Sequence, residues 1–357
     1  FRVSKSFIEN NTNSKYLNTI RNNLNSINFI YEDQIKIKKI NFFFNHLSEI
    51  HYFNKSIEVV KNLSINYDSY ISLDLGWAIA LSQKKNCVSI LGDPYHSRVI
   101  HGDDTNIFSL KKNFLKFRAL STSTKMVMKK INNHFEKNDK ILLGSFSKQH
   151  AEEYSKKGLN CKEIDWFSPY VDETKTKKNY LINEIFTLTH IGDLGTTASR
   201  KNLNFLLSCL KILSQKITGK IKIKFIGRYK KKLISPFKNI EFEYTGYLEN
   251  LDNEINNSDA MISVSDYPVG TRTRILSSLS YGLPCIAHIS SALGLHRLKH
   301  EEHILFCHDK MSFVECVEKL MNVNGLPEKI GKKSRDLWLK YYNPLINVDK
   351  ILNIVNC

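Results

Sequence analysis

Short apolar runs alternate along this chain with stretches whose apolar residues return every third or fourth position, a grammar that predicts parallel α/β units. In the first half, Tyr70–Leu73 reads as a strand, Gly76–Ser82 as a short helix and Asn86–Leu91 as a second buried strand. That strand ends in the turn Gly92-Asp93-Pro94, and a long basic helix is expected from about Leu110 to Phe135. Lys140–Gly144 then reads as a strand, Ser147–Lys157 as a helix closed by Gly158, and Ile164–Pro169 as a last strand. The second half is clearer. Strands are expected at Ile185–His190, Ile221–Ile226, Ile240–Tyr244, Asp259–Val264 and Cys285–His288. A helix over Arg200–Leu213 carries Leu203, Leu206, Leu207 and Leu210 on one stripe. Another spans Thr271–Tyr281, where Gly282 stops it and Pro284 prevents its continuation. The remainder reads as mainly helical, ending in an amphipathic segment around 330–342.

The chain has 357 residues, which suits two domains of about 150–180 residues each. Asp172 to Tyr180 is polar, lysine-rich and without apolar period, as a linker is. The expected organisation is therefore a first domain over 1–172, a linker over 173–181, a second domain over 182–340 and a tail over 341–357. No apolar run reaches the ~18 residues that cross a bilayer. Phe1 opens the chain with no charged-then-apolar leader behind it, so no signal peptide is expected, and a start of the first domain upstream of Phe1 stays open.

Lys and Arg number 52 against 35 Asp and Glu, a net charge of +17. One account is an anionic partner; the other is a codon bias toward Lys, Asn and Ile, which the many Asn residues favour. The basic residues are spread along the chain, with a local cluster at Arg228, Lys230, Lys231 and Lys232. Nucleic acid, which only the charge suggests, is not expected as a partner, whereas peripheral contact with anionic lipid stays open. Seven cysteines, an odd number with no Cys-x-x-Cys pair, argue against a disulfide framework or zinc site and fit a reducing cytoplasm. The histidines His296, His300, His303 and His308 are too irregularly spaced for a metal site, and His190, at a strand end, reads as a satisfied core residue.

The most informative segment is Tyr267–Leu276. Gly270 closes a strand-loop directly before a helix, and its missing side chain lets a ligand approach the backbone. The first turn of that helix offers amide N–H groups without internal acceptors and the positive end of the helix dipole. Thr271 and Thr273 add hydroxyl donors, while Arg272 and Arg274 add forked cations, so the set forms a diphosphate cradle. The competing reading is an ordinary helix start with two surface arginines. Open α/β sheets bind ligands beyond the carboxyl ends of their strands. Gly192, Gly227 and Gly246 all follow strand ends on that edge, and Arg200 and Lys201 open the helix after Gly192. A further cation there would stabilise charge growing on a leaving diphosphate.

In order, Gly192, Lys201, Asn202, Gly246, Asp259, Gly270, Gly282 and Pro284 resemble the donor-binding domain of GT-B glycosyltransferases, and the closest likeness is the group 1 family. The resemblance covers residues 185–295 well and 70–172 loosely. It implies two Rossmann-like domains facing a cleft, with a nucleotide sugar held by the second. It also implies that Lys201 contacts the donor diphosphate, and that Thr271 and Arg272 reach phosphate through their amides. Two departures stand out. The family's Glu-x7-Glu pair falls here on Val269 and Ser277, and Asp193 replaces the Arg that commonly follows the first loop glycine.

In the same family a His or Asp just past a strand of the first domain often serves the acceptor hydroxyl. Asp93 stands at that place as the first candidate for the base or a donor-sugar contact, and His96 as the second, since imidazole titrates near neutrality. Asp93-Pro94 as a plain turn initiator is the alternative. No metal and no resident cofactor are expected, since the nucleotide sugar is a substrate. The expected activity is sugar transfer to a saccharide or lipid-linked acceptor in the cytoplasm, with a place at the inner membrane left open. A nucleotide-sugar epimerase on the same scaffold and an inactive nucleotide- or glycan-binding relative are the alternatives.

Overall fold

The computed structural model describes residues 2–3, 30–31, 70–72, 78, 81, 87–91, 129, 133, 141–156, 158–164, 185–194, 197–229, 231–248, 250–265, 272–344 and 346–347. A short parallel pair joins β1 (Arg2–Val3) to β2 (Ile30–Tyr31). Two larger sheets, each with parallel pairing throughout, follow. The first runs β3 (Tyr70–Ser72), β4 (Cys87–Leu91), β5 (Ile141–Ser145) and β6 (Cys161–Glu163), in that spatial order. Every residue of β4 is buried, as a strand covered on both faces requires. Ala78 and Leu81 are helical and buried, in the segment where a short helix is expected.

The helix α1 (Lys148–Lys156) follows β5, and Gly158 at φ 90 turns the chain out of it. Pairing with β5 therefore begins at once, at Cys161. The strand expected from Ile164 onward forms three residues earlier, and Ile164 only donates its N–H to Ser145 O. The expected linker and the first candidate catalytic loop lie outside the described residues.

The second sheet contains β7 (Ile185–Ile191), β8 (Lys220–Ile226), β9 (Ile240–Gly246), β10 (Ala260–Ser263), β11 (Cys285–His288) and β12 (Leu305–Cys307). Their order across the sheet is β12-β11-β10-β7-β8-β9. The chain thus reverses direction beside β7, which makes β7 and β10 the switch point of the sheet. The edge strand β12 was not expected. Only three residues long, it follows a polar run from Lys299 to His303 that hides its pattern.

Helices α2 (Thr197–Lys216), α3 (Asp252–Asn256), α4 (Thr273–Tyr281), α5 (Lys310–Asn322) and α6 (Leu326–Tyr341) connect and follow these strands. One face of the sheet buries Leu206, Leu210 and Leu213 of α2 with Phe313, Val317 and Leu320 of α5. The other buries Ile275, Leu276 and Leu279 of α4 with Trp338 of α6. Helix α2 starts three residues before its expected Arg200, and α4 starts two residues after its expected Thr271 because Arg272 is extended (φ −81, ψ 95). Gly282 ends α4 in the left-handed region at φ 64, as the sequence predicts.

The alternating lysines of β8 explain its polar face. Lys222 pairs with Glu243 at 2.9 Å, and buried Lys224 reaches Glu254 at 2.6 Å. Asp259 is also buried. Its Oδ2 accepts the Thr187 N–H at 2.8 Å while its own N–H donates to Thr187 O at 2.9 Å, which fixes the start of β10 against β7. Between the two large sheets, His296 Nδ1 lies 3.0 Å from Glu163 Oε1.

Candidate functional site

The carboxyl ends of β7, β8 and β9 are joined by their glycines. Gly192 N–H donates to Ile226 O at 2.9 Å, and Gly227 N–H donates to Gly246 O at 2.8 Å. Gly192 has φ 149 and Gly227 φ 132, conformations that residues with a Cβ rarely adopt. A Cβ on Gly227 would stand 2.3 Å from Gly192 O, so no side chain fits without moving backbone. Gly246, at φ 78, has open space where a side chain would go.

Above this edge lies the start of α4. Arg274 projects from its first turn back to β7, where Nη1 lies 3.0 Å from His190 Nε2 and 3.3 Å from Nδ1. The same guanidinium lies against Gly192, whose Cβ position is 2.8 Å from Arg274 Nη2. Burial, with the cation of Arg274 beside it and that of Arg272 further off, holds the His190 imidazole well below its ordinary titration range, against an opposing contact with the Ile262 backbone. His190 is therefore a neutral ring at physiological pH. Arg272 Nη2 donates to Ser265 Oγ at 3.1 Å, at the carboxyl end of β10. Ser265 is anchored in turn: its N–H donates to Ser291 Oγ at 3.0 Å, and that hydroxyl lies 3.3 Å from Ser265 O.

Two guanidinium groups and the amino end of a nine-residue helix thus meet at the switch point of a parallel sheet. The amides of a first helical turn lack intrahelical acceptors, and here that turn begins at Thr273. Such an edge suits an anion with several oxygens.

Of the residues singled out in the sequence, Gly192, Gly246, Arg272, Thr273 and Arg274 stand on this edge or at the start of α4. Lys201 is half-buried near the amino end of α2, the helix that follows Gly192. Arg200 lies in the same turn, and its side chain is outside the described set. So are Asp93, His96, Gly270 and Thr271. Asp193, at the position of the family's arginine, pairs with Arg228 at 3.2 Å. Ser277, at the position of a family glutamate, donates to Thr273 O of its own helix at 3.3 Å. Sequence reasoning missed His190, Ser265 and Ser291 as parts of the site. A strand-end histidine and two loop serines have no spacing signal, since their partners lie 84 and 26 residues away.

Of the histidines weighed as metal ligands, two have local partners: His300 Nδ1 accepts from Phe306 N–H at 2.9 Å, and His303 Nδ1 from Lys299 N–H at 3.2 Å. Among the described residues no group of three or more His, Cys, Asp or Glu is placed to hold a metal ion. No described helix is long and apolar enough to cross a membrane.

Residues 186–323 match the family model "Glycosyl transferases group 1". No curated protein matches the chain. Among solved structures, the fold is similar to that of TarM, with a TM-score of 0.60 at 15% identity over 85% of this chain. The match spans 58% of TarM, so this chain is the shorter of the two. WaaG, described as a glycosyltransferase of lipopolysaccharide biosynthesis, aligns with a TM-score of 0.60 at 12% identity, covering 92% of this chain and 86% of its own. HepE from Anabaena, crystallised with UDP, aligns with a TM-score of 0.58 at 11% identity over 84% of this chain and 80% of its own. These neighbours define the frame as the two-sheet GT-B fold.

Proposed function

We propose, from the match of residues 186–323 to the group 1 glycosyltransferase model within a GT-B frame, that this chain moves a sugar from a nucleoside diphosphate to a saccharide or lipid-linked acceptor. The observation that carries this reading is the pair Arg272 and Arg274, held over the carboxyl ends of β10 and β7 by Ser265 and His190. In this reading the donor diphosphate lies between the Gly192 turn and the first turn of α4. The two guanidiniums bind its oxygens and stabilise the charge that grows as the glycosidic C–O bond breaks. Lys201 and Arg200 approach from α2, with Gly270, Thr271 and Thr273 completing the cradle. The donor acts as substrate, and no resident cofactor enters the reaction.

Asp93 and His96 serve the acceptor hydroxyl from the first domain, which in this reading runs to residue 172. The HepE complex with UDP, and a TarM variant from S. aureus crystallised with Fondaparinux, α-GlcNAc-glycerol and UDP, favour a uridine nucleotide as the first donor to try. Ser277 supplies no carboxylate for the ribose, so the diphosphate contacts carry a larger share of donor affinity here than in relatives with the glutamate.

A panel of nucleotide sugars and free nucleoside diphosphates, read by thermal shift and then by release of nucleoside diphosphate with and without acceptor, tests the proposal. Stabilisation by a diphosphate together with acceptor-dependent release supports it. Isomerisation of the donor without acceptor would mean an epimerase. Binding without any turnover would mean a relative that has lost catalysis.

A further inference from the structure

The segment between β8 and β9 departs from the rest of the surface. It descends the outer side of β9, the edge strand of the second sheet, and it is pinned there. Leu233 N–H donates to Tyr244 Oη at 3.0 Å, Phe237 N–H donates to Ser235 Oγ at 3.2 Å, and Phe237 packs against the core. Between these anchors Ile234 is 93% exposed, the most exposed of the large hydrophobic side chains described. The anchored loop therefore holds the isoleucine in water, where its apolar area is available for burial against another surface.

The charged residues described on the loop that carries Ile234 are all basic. Lys231, Lys232 and Lys238 are exposed on the same loop, and Lys232 Nζ stands 5.7 Å from the Tyr229 ring centroid. Behind the loop is a cavity of about 550 Å³ whose walls include Leu233, Phe237 and Phe242 with Lys220, Lys232 and Lys238. Glu241 is the one carboxylate among its lining residues. The cavity lies at the amino ends of β7, β8 and β9, beside Ile185, Lys220 and Ile240, on the edge of the sheet opposite the glycines.

We infer that this loop is a membrane-docking surface for acidic phospholipids, with Ile234 entering the headgroup–acyl boundary and the lysines on lipid phosphates. An apolar side chain on a lysine-rich loop is the combination that distinguishes an anionic bilayer from a soluble polyanion: the polyanion uses the lysines alone, the bilayer uses both. Docking here leaves the opposite edge, with its arginine pair, facing away from the lipid.

The test is sedimentation of the full-length chain with vesicles of phosphatidylcholine alone or with added phosphatidylglycerol, at low and high salt. The wild type is compared with Lys231→Glu/Lys232→Glu, with Ile234→Ser, and with Lys148→Glu/Lys211→Glu, which removes equal charge from the exposed surfaces of α1 and α2. Melting temperatures confirm that each variant is folded. The expected result is salt-sensitive binding to the acidic vesicles only. The loop pair should lower it by at least about tenfold, Ile234→Ser severalfold, and the control pair by about twofold or less. Equal losses for both lysine pairs would overturn the inference, as would an Ile234→Ser variant that binds like wild type. Heparin binding that falls with the loop lysines while Ile234→Ser leaves vesicle binding unchanged would identify a soluble polyanion as the occupant and overturn it too.

Discussion

Arg274 Nη1 lies 3.0 Å from His190 Nε2, so a cation at the start of one helix is held by a neutral ring near the end of the first strand of the second sheet. Arginine has only donors, and an uncharged imidazole offers it an acceptor nitrogen. Burial and the neighbouring guanidiniums together keep the ring uncharged. The contact aims Arg274 at the Gly192 turn instead of leaving it to solvent.

This pairing sets a pH dependence with a definite sign. The folded-state pKa of His190 is depressed, so the unfolded chain takes up a proton that the folded chain refuses. His190 therefore contributes stability that is present above the ordinary imidazole range and lost as pH falls through it. His303 is depressed mainly by burial and acts in the same direction. Denaturant midpoints should fall between about pH 7.5 and 5. His190→Gln should flatten that slope, and an unchanged slope would contradict the assignment.

Gly227 is the most sterically constrained point of the glycine edge. Gly227→Ala forces either the backbone of Gly192 to move or the φ of 132 to be abandoned. The expected loss is about 1–3 kcal/mol of stability, visible as a fall of several degrees in melting temperature. Diphosphate affinity should fall with it, because the Gly192 turn moves. Gly246→Ala, where the space is open but φ is 78, should cost less.

Asp259 matches the family pattern as an acidic residue before a strand, and the structure gives the physical reason. Its carboxylate caps the Thr187 N–H inside the sheet. Asp259→Ala should destabilise the chain by roughly 1.5–3 kcal/mol, the scale of a hydrogen bond to a charged group, and Asp259→Asn by less. Equal denaturant midpoints for the wild type and both variants would remove Asp259 from the sheet's framework.

Most of the second sheet was legible in the sequence because its strands carry apolar residues in buried or alternating runs, several of them bounded by glycine or proline. Cys285–His288 forms over the residues that the pattern marks. Gly282 ends α4 where the sequence says it should. Boundaries were less legible. The extended Arg272 delays α4, and the tight turn at Gly158 advances β6, both consequences of local backbone geometry that composition does not encode. The glycine edge was readable because each glycine directly follows a strand, and the basic start of α4 because its residues are contiguous. The partners His190, Ser265 and Ser291 were not, because pairing across 84 or 26 residues follows from the sheet order, which no local window contains.

On the proposed function, Asp93→Asn should lower turnover by at least about tenfold, within the range of general acid–base contributions, while nucleotide affinity stays as in wild type. Initial rates beside calorimetric binding separate the two. An unaffected rate would remove Asp93 from the chemistry.

Calorimetric titration of UDP, and then of other nucleoside diphosphates, into the wild type, Arg274→Ala, Arg274→Lys and Arg272→Ala tests the central claim most directly. Each alanine variant should lose about 1.5–3 kcal/mol of diphosphate binding, and Lys201→Ala a similar amount, with a smaller loss for the corresponding monophosphate. Arg274→Lys should recover only part, since a point charge cannot replace the fork. Diphosphate affinities equal to wild type in both arginine-to-alanine variants would contradict the account.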